Sequence, residues 1–211
     1  LVPASGSPLI EKAAIHAHSG SYINPSYLNH APFTTALEGS RLRNYLNALI
    51  ETEGDDFAVF MTALNSVTVA LSRKIAGDGE GATKLLECRV TGAADTQTAK
   101  TVAKSVVCSS LLKAAMFGAD ANWGRVLCAI GYSGADVDVT KTDVRFVSAA
   151  GEVAVCENGA GIDFSEELAK TVLSENEIDI VVTFHEGDGA AVAWGCDLTY
   201  DYVKINGDYR T

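Results

Sequence analysis

A carboxylate set between glycines is the first candidate for chemistry in this sequence. In GDGEGATK, residues 77–84, glycines stand on both sides of Asp78 and Glu80. Glycine lets the backbone turn tightly, so we expect Glu80 to project from a junction between a helix and a strand. There it could accept hydrogen bonds from a substrate ammonium, although a solvated turn explains the same spacing. The segment is not a phosphate-binding P-loop, because the Gly-Lys-Ser/Thr ending is missing.

A second turn, FGADANWGR at residues 117–125, combines a capping signal with an arginine. Asp120 or Asn122 can cap a helix that begins near Trp123. Arg125 could then hold a carboxylate in a two-pronged hydrogen bond. A structural turn with a buried tryptophan and a surface arginine accounts for the same residues, so the spacing alone does not assign a site here.

Metal ligands and activated nucleophiles are harder to find. His16 and His18, taken with His30 and His185, are the candidate metal ligands. His16 and His18 can share one side of a strand, but zinc needs three or four ligands and the rest of the set cannot be named. There is no G-x-S-x-G motif and no cysteine beside a probable base. The hydroxyls of Thr34, Thr35 and Ser66 have no evident activating partner. From spacing alone we therefore predict no catalytic residue, no metal and no cofactor.

Composition excludes several classes of protein. The 211 residues are 47% apolar, which suffices for one large domain or two small ones. The net charge of −11 repels phosphate backbones, so nucleic acid is an unexpected partner. No apolar run approaches the roughly 18 residues of a membrane helix, and no basic-then-apolar leader opens the chain. Five scattered cysteines indicate reduced thiols. These features predict a soluble, cytoplasmic protein without a membrane segment.

The elements that must position these residues mix helices with strands. Helices are expected from Asp55 or Asp56 to Gly77, after Asp95, and after Ser165. Strands are expected at residues 84–93, 136–139, 143–147, 152–156, 177–185 and 191–206, and EGDGA at 186–190 is typical of a hairpin turn between the last two. The pattern predicts an α/β fold of mixed α+β type, with layered sheets and helices outside, rather than a doubly wound parallel sheet.

The end of the sequence is unusually ordered for a terminus. In DLTYDYVKINGDYRT, residues 197–211, alternating side chains predict a strand, with Tyr200, Tyr202 and Asn206 on one side. Gly207 then bends the chain before Thr211 and its carboxylate. The local pattern alone does not explain why the end of the chain should be so ordered.

Several long motifs together suggest an explanation for the ordered end. DGEGATK, FGADANWGR followed by IGYSG, GDGAAVAWGCDLTYDYVKIN and the terminal DYRT stand in the order and spacing of the β chain of the ornithine acetyltransferase family. Members of this family are bifunctional glutamate N-acetyltransferases of arginine biosynthesis. The resemblance runs from about Asp55 to Thr211, some three quarters of the chain.

The resemblance implies a precursor that cleaves itself before a threonine, giving α and β chains that assemble as an αβ heterotetramer. The new N-terminal threonine of β would take acetyl from N2-acetyl-ornithine as an acyl-enzyme, with its own α-amine as base, and glutamate would collect the acetyl group. Some members also accept acetyl-CoA as a substrate. The oxyanion donors would belong to the α chain.

The site residues follow from the same resemblance. Glu80 matches a substrate-contacting glutamate, and Asn206 and Thr211 match further substrate contacts. The ordered end would thus be a wall of the active site, with Asn206 set by its strand and Thr211 brought inward by the bend at Gly207. Carboxylates there suit a substrate that carries an ammonium group, because opposite charges nearby favour binding.

The sequence also departs from the family. The threonine-led start of the β chain, its Thr-Thr-Asp-Ala run and an Asp-Thr-Ser-Thr-Asn-Asp segment are absent, and Leu1 cannot be an N-terminal nucleophile. We expect an unmatched, loop-rich segment at 1–52, a core-domain portion with GDGEGATK at 53–110, and a C-terminal α/β domain at 111–211 ending in the substrate-facing strand. Two other readings stay open: a non-catalytic binding or assembly partner, and a hydrolase of the related self-cleaving aminopeptidase type.

Overall fold

The computed structural model describes residues 53–208, and the chain divides after Leu71 into two compact units. Helix α1, Asp55–Gly77, provides most of what is described of the first unit. Phe60, Leu64 and Thr68 recur every fourth residue and form its buried stripe. The helix begins and ends where the sequence predicts, with two acidic residues in its first turn and Lys74 in its last, as the helix dipole favours.

The second unit is built on a six-stranded sheet. Its strands are β1 Leu85–Ala93, β2 Asp143–Ser148, β3 Gly151–Glu157, β4 Ala160–Gly161, β5 Glu177–Thr183 and β6 Gly189–Cys196. Their order across the sheet is β4-β3-β2-β5-β1-β6. Strands β1 and β5 are parallel, and the other neighbouring pairs are antiparallel.

Helices cover one face of this sheet, where α2 Thr96–Cys108 and α5 Glu166–Leu173 contact its strands. Helices α3 Ser110–Phe117 and α4 Trp123–Gly131 pack beside α2, and a 3₁₀ turn spans Val139–Lys141. Helix α6, Tyr200–Asp208, follows the last strand and is exposed. Alternate residues of β1 and β5, such as Leu86 and Ile180, are fully buried together with Val102 of α2 in one apolar core. The mixed α/β architecture expected from the sequence is therefore confirmed.

Side-chain caps set several helix starts as predicted. Asp95 accepts a hydrogen bond from the Thr98 amide, and Ser165 accepts one from the Leu168 amide. Of the two candidates before α4, Asn122 is the cap.

The other face of the sheet carries an ionic cluster that fixes the end of α1. The Arg73 guanidinium pairs with Glu87 on β1 and, at 2.7 Å, with Glu177 on β5. The Trp194 indole on β6 donates to the same Glu87 carboxylate at 2.8 Å. This cluster holds the last turn of α1, and hence the start of the GDGEGATK loop, against three adjacent strands.

Two predicted strand features are wrong. Strands β5 and β6 do not form a hairpin, because β1 lies between them and pairs with both. The loop at 186–190 instead packs on the end of β1, where the Glu186 and Gly187 amides donate to Gly92 O. The segment 136–139 is not a strand, since Asp138 accepts from the Thr140 amide and starts the 3₁₀ turn.

The predicted terminal strand is also wrong. Strand β6 ends at Cys196, and residues 200–208 form helix α6. Every one of these helical residues is exposed. The alternating pattern predicts a strand only where one of its faces is buried, and here neither face is. The expected boundary at residue 110 falls inside the second unit, where β1 pairs with strands that follow that boundary. Residues 1–52 lie outside the described part of the chain.

Candidate functional site

Two of the three residues expected to bind substrate meet in the structure. The Asn206 side-chain amide donates from Nδ2 to Glu80 Oε2 at 3.0 Å, although 126 positions separate them in the chain. The same nitrogen donates to the Tyr202 carbonyl oxygen at 2.9 Å, one helical turn earlier. Both side chains are exposed. The third residue, Thr211, lies outside the described residues.

The glycines of the loop allow this approach. Gly81 has a φ of +65°, a conformation that favours glycine, and a Cβ there would lie 2.9 Å from both Asp201 Cβ and the Tyr202 nitrogen. The Ala82 amide closes a tight turn by donating to Gly79 O at 2.9 Å. The loop backbone can therefore lie directly against the first turn of α6.

A buried carboxylate joins the far side of the loop to the end of β6. Asp197 is 3% exposed, and its Oδ1 accepts the Thr83 amide at 2.8 Å and the Lys84 amide at 3.1 Å. Its Oδ2 accepts the Thr83 hydroxyl at 2.5 Å. In return the Asp197 amide donates to Lys84 O at 3.2 Å. These four hydrogen bonds fix the chain on both sides of the junction.

One hydroxyl then starts the final helix and ties it to the loop. Thr199 Oγ1 accepts the Tyr202 amide at 3.2 Å, which is the geometry of a helix N-cap. It also donates to the Gly81 carbonyl oxygen at 2.6 Å. The Thr199 hydroxyl thus sets both the start of α6 and its distance from the loop that carries Glu80.

Helix α3 supports the same junction from the side. The Leu198 amide donates to Lys113 O at 3.2 Å. The rings of Phe117 and Tyr200 meet edge to face with centroids 5.4 Å apart. Tyr200 is nevertheless 83% exposed, so this ring contact lies at the surface and not in the core.

The Glu80–Asn206 pair offers acceptors to a ligand. Both hydrogens of the Asn206 amide are used within the described residues, so its Oδ1 is left to accept. The Glu80 carboxylate retains its second oxygen. Such a surface suits a donor-rich, positively charged group such as an ammonium.

The remaining sequence candidates do not join this group. The Arg125 guanidinium donates to Leu111 O at 2.7 Å, which explains it as a tie between α4 and α3. His185 pairs with Asp143 at 2.9 Å near the ends of β5 and β2. Ser66 is exposed on α1. The residues His16, His18, His30, Thr34 and Thr35 lie outside the described part of the chain.

Sequence reasoning missed the residues that build the junction. Asp197, Thr199 and Lys84 were not candidates, yet each contacts the loop or its backbone. One signal was available: Thr199 followed by Asp201 is a capping residue with an acid in the first turn, which is typical of a helix start. Among residues 53–208 no group of three possible metal ligands occurs, and no helix there is long and apolar enough to cross a membrane.

Comparison with known proteins identifies the family. A sequence model described as the ArgJ family matches residues 37–211. The chain belongs to the ArgJ family. The match confirms the expected family and extends upstream of Asp55, into the segment for which the motifs gave no match.

Individual ArgJ proteins are similar over most of this chain. The arginine biosynthesis bifunctional protein ArgJ 1 of Clostridium acetobutylicum is 52% identical over 165 residues, which are 78% of this chain and 40% of that protein. The arginine biosynthesis bifunctional protein ArgJ of Caldanaerobacter subterraneus subsp. tengcongensis is 54% identical over 165 residues, 78% of this chain and 41% of that protein. The chain thus spans about two fifths of the length of these ArgJ relatives.

A solved ArgJ structure has the same fold. The crystal structure of the arginine biosynthesis bifunctional protein argJ from Bacillus halodurans superposes with a TM-score of 0.70 at 46% identity, covering 77% of this chain and 78% of that one. The mixed sheet and its helices are therefore an ArgJ architecture.

Proposed function

We propose that this chain forms the β-chain part of an N-acyltransferase that moves acetyl from N2-acetyl-L-ornithine to L-glutamate. Membership of the ArgJ family supports this proposal, because similar proteins are named as bifunctional proteins of arginine biosynthesis. The observation that carries it is the 3.0 Å contact of Asn206 with Glu80. Two residues that match substrate contacts of the family come together from opposite ends of the described chain.

The acceptor surface fits the proposed acetyl donor. N2-acetyl-ornithine has an acylated α-amine, so its cation is the side-chain ammonium, which can donate to Glu80 and to Asn206 Oδ1. The glutamate α-amine has to reach the acetyl ester instead, so we do not assign it to Glu80. An exposed charge pair contributes only about 0.2–1 kcal/mol, so Glu80 needs further contacts to bind tightly. Thr211 is our candidate for one of them.

In the proposed reaction the acetyl group passes through an ester. The hydroxyl of an N-terminal threonine of the processed β chain attacks the acetyl carbonyl carbon, the amide C–N bond breaks, and ornithine leaves with the proton. The glutamate amine then attacks the ester and frees the threonine. We propose an α chain from the same precursor as the partner, in an αβ heterotetramer, and acetyl-CoA as an additional donor. The proposal assigns the reaction to the cytoplasm, where free thiols such as Cys88 and Cys196 persist.

The full precursor with its processed chains provides the test. It is incubated with N2-acetyl-ornithine and glutamate, and released ornithine is measured together with acetyl-glutamate. We expect Glu80→Gln to lower kcat/KM by about 5-fold, since the charge facing the ammonium is lost. Asp78→Asn, which removes a carboxylate two residues earlier in the same loop, is the matched control and should change little.

The outcomes separate the alternatives. Absence of ornithine release by the processed precursor would refute the transferase. If the same protein binds N2-acetyl-ornithine without turnover, the non-catalytic binding partner becomes the better account. Release of acetate in place of acetyl-glutamate would favour the hydrolase. Equal effects of Glu80→Gln and Asp78→Asn would remove Glu80 from the site.

A further inference from the structure

A buried lysine follows the Glu80 loop directly. Lys84 is 9% exposed, and its ammonium donates to Met116 O at 2.6 Å and to Leu173 O at 2.7 Å. Lysine is rarely buried unless its charge meets suitable partners. The two carbonyl oxygens are such partners, and they lie on different helices.

Both carbonyls belong to helix ends. Met116 is the penultimate residue of α3, and Leu173 is the last residue of α5. The last carbonyls of a helix lack intrahelical donors and carry partial negative charge. The Lys84 ammonium therefore acts as a shared C-terminal cap that fastens α3 and α5 to the start of β1.

The backbone of the same residue is held just as firmly. The Lys84 amide donates to Asp197, and Lys84 O accepts the Asp197 amide. Lys84 therefore connects α3, α5 and the end of β6 from a position four residues after Glu80. Displacing it would move the Thr83 contacts with Asp197, and these close the loop.

Lys84 also influences the candidate site through helix α3, whose C-terminal end it holds. It supplies Lys113 O to the Leu198 amide and Phe117 to the Tyr200 ring. The position of α3 therefore helps to set the first turn of α6, and Asn206 lies on the following turn of the same helix. Lys84 thus supports both sides of the Glu80–Asn206 contact, one through the loop and the other through α3 and α6.

The charge of Lys84 is costly where it lies. Burial lowers the pKa of the Lys84 ammonium below its ordinary value, and the negative charge of Asp197 only partly opposes this effect. An apolar side chain of similar length would avoid the desolvation cost. What the lysine adds is directional: its donors fix the orientation of two helix ends.

We propose that Lys84 is a positioning residue for substrate recognition, which holds α3, α5 and the Asp197 junction so that Glu80 lies at Asn206. Lys84 does not touch the substrate. The inference rests on the proposed function, because its readout is the binding of the donor substrate at Glu80.

A double-mutant cycle in the processed full-length protein tests it. Binding of N2-acetyl-ornithine is measured by titration calorimetry, well below the unfolding temperature, for wild type, Lys84→Met, Glu80→Gln and the double variant. We expect each single change to weaken binding about 5-fold, and the double variant to bind no more weakly than Glu80→Gln. Lys84 acts only through the position of the Glu80 carboxylate, so removing that charge also removes the effect of Lys84 on binding. Lys141→Met, which removes a surface lysine paired with Asp138, is the control and should bind as wild type.

The results separate the two proposals. If Glu80→Gln binds as wild type, the proposed role of Glu80 fails. If Glu80→Gln weakens binding while Lys84→Met does not, or if the two effects multiply, the positioning role of Lys84 is overturned and Glu80 keeps its role. Should Lys84→Met fail to fold, Lys84→Gln retains amide donors for one carbonyl and replaces it in the same cycle, with the same expected coupling.

Discussion

Asn206 Nδ2 lies 3.0 Å from Glu80 Oε2, and this hydrogen bond joins helix α6 to the loop in front of strand β1. Helix α6 has no buried residue between Tyr200 and Asp208, and its packing is limited to exposed contacts such as that of the Tyr200 ring with Phe117. Its position also depends on polar contacts at Thr199 and at Asn206. A few hydrogen bonds therefore contribute much of the geometry of the candidate site.

Replacing Asn206 should loosen α6 without unfolding the protein. Asn206→Ala removes the hydrogen bonds to Glu80 and to Tyr202 O. A net contribution of about 0.5–1.5 kcal/mol corresponds to amide exchange about 2- to 10-fold faster in α6, measured by hydrogen exchange. Lys204→Ala, an exposed change on the same helix, should leave the exchange rates as they are. Equal rates in both variants would contradict a tether at Asn206.

Gly81 should not tolerate a side chain. Gly81→Ala places a Cβ at a φ of +65° and 2.9 Å from the Tyr202 nitrogen, so we expect a loss of about 1–3 kcal/mol in the free energy of unfolding. Gly131→Ala, at the end of α4 with no atom within 4 Å of the added Cβ, is the matched control and should be neutral or slightly stabilising. Urea denaturation at neutral pH measures both. Similar values for the two variants would refute the close approach of loop and helix.

Removing the Asp197 carboxylate should destabilise the junction. Asp197→Ala leaves the buried Lys84 amide without its acceptor and removes both Thr83 contacts. An unpaired buried donor costs about 1–3 kcal/mol, which thermal or urea unfolding can measure. The exposed Asp188 on the 186–190 loop offers a comparison, since Asp188→Ala should change stability by less than about 0.5 kcal/mol. A loss at Asp197 no larger than that at Asp188 would contradict its role.

The contribution of Asp143 to stability should be lost at acid pH. Burial raises the pKa of Asp143, but the Asn158 amide and the His185 ring outweigh this effect and hold the pKa below its ordinary value of 3.8. A lowered folded-state pKa means that the contribution is present above about pH 4 and is lost as the pH falls through the folded value. The stability difference between wild type and Asp143→Asn should therefore shrink below pH 4 in acid titrations followed by circular dichroism. A difference that stays constant down to pH 2 would be the contrary result.

Lys84 should give the same direction of pH dependence at alkaline pH, because its folded-state pKa is also lowered. Its folded-state pKa is lowered, so between that value and the ordinary 10.5 the unfolded chain binds more protons than the folded chain. Stability then rises with pH in this interval. The free energy of unfolding of wild type relative to Lys84→Met should increase as the pH is raised from neutral towards 10.5, measured by urea denaturation. A decrease would show that the charged form is the one the fold prefers.

Local signals in the sequence predicted local structure well. The caps Asp95 and Ser165, the span of α1 and the strands around Leu86 and Ile180 all follow from capping chemistry and apolar periodicity. The pairing of strands does not. Nothing near EGDGA indicates that β1, some ninety residues earlier, lies between the two strands that flank this loop.

The terminal helix shows why the site was only partly predictable. Tyrosine, valine and isoleucine favour strands, but residues 200–208 are exposed and take their conformation from the Thr199 cap and the loop contacts. Glu80 and Asn206 were identified through resemblance. Asp197 and Lys84 carry contacts to distant backbone atoms, which sequence spacing does not reveal.

The central place of β1 has a consequence for biosynthesis. Leu85 pairs with Glu177 on one side and with Cys196 on the other. The first strand of this sheet therefore cannot pair until the ribosome has synthesised both of its neighbouring strands. At about 5–20 residues per second, the ribosome would leave its apolar side unpaired for on the order of ten seconds. A nascent chain of this protein should therefore depend on chaperones during that interval, because distant pairing costs loop entropy before it gains stability.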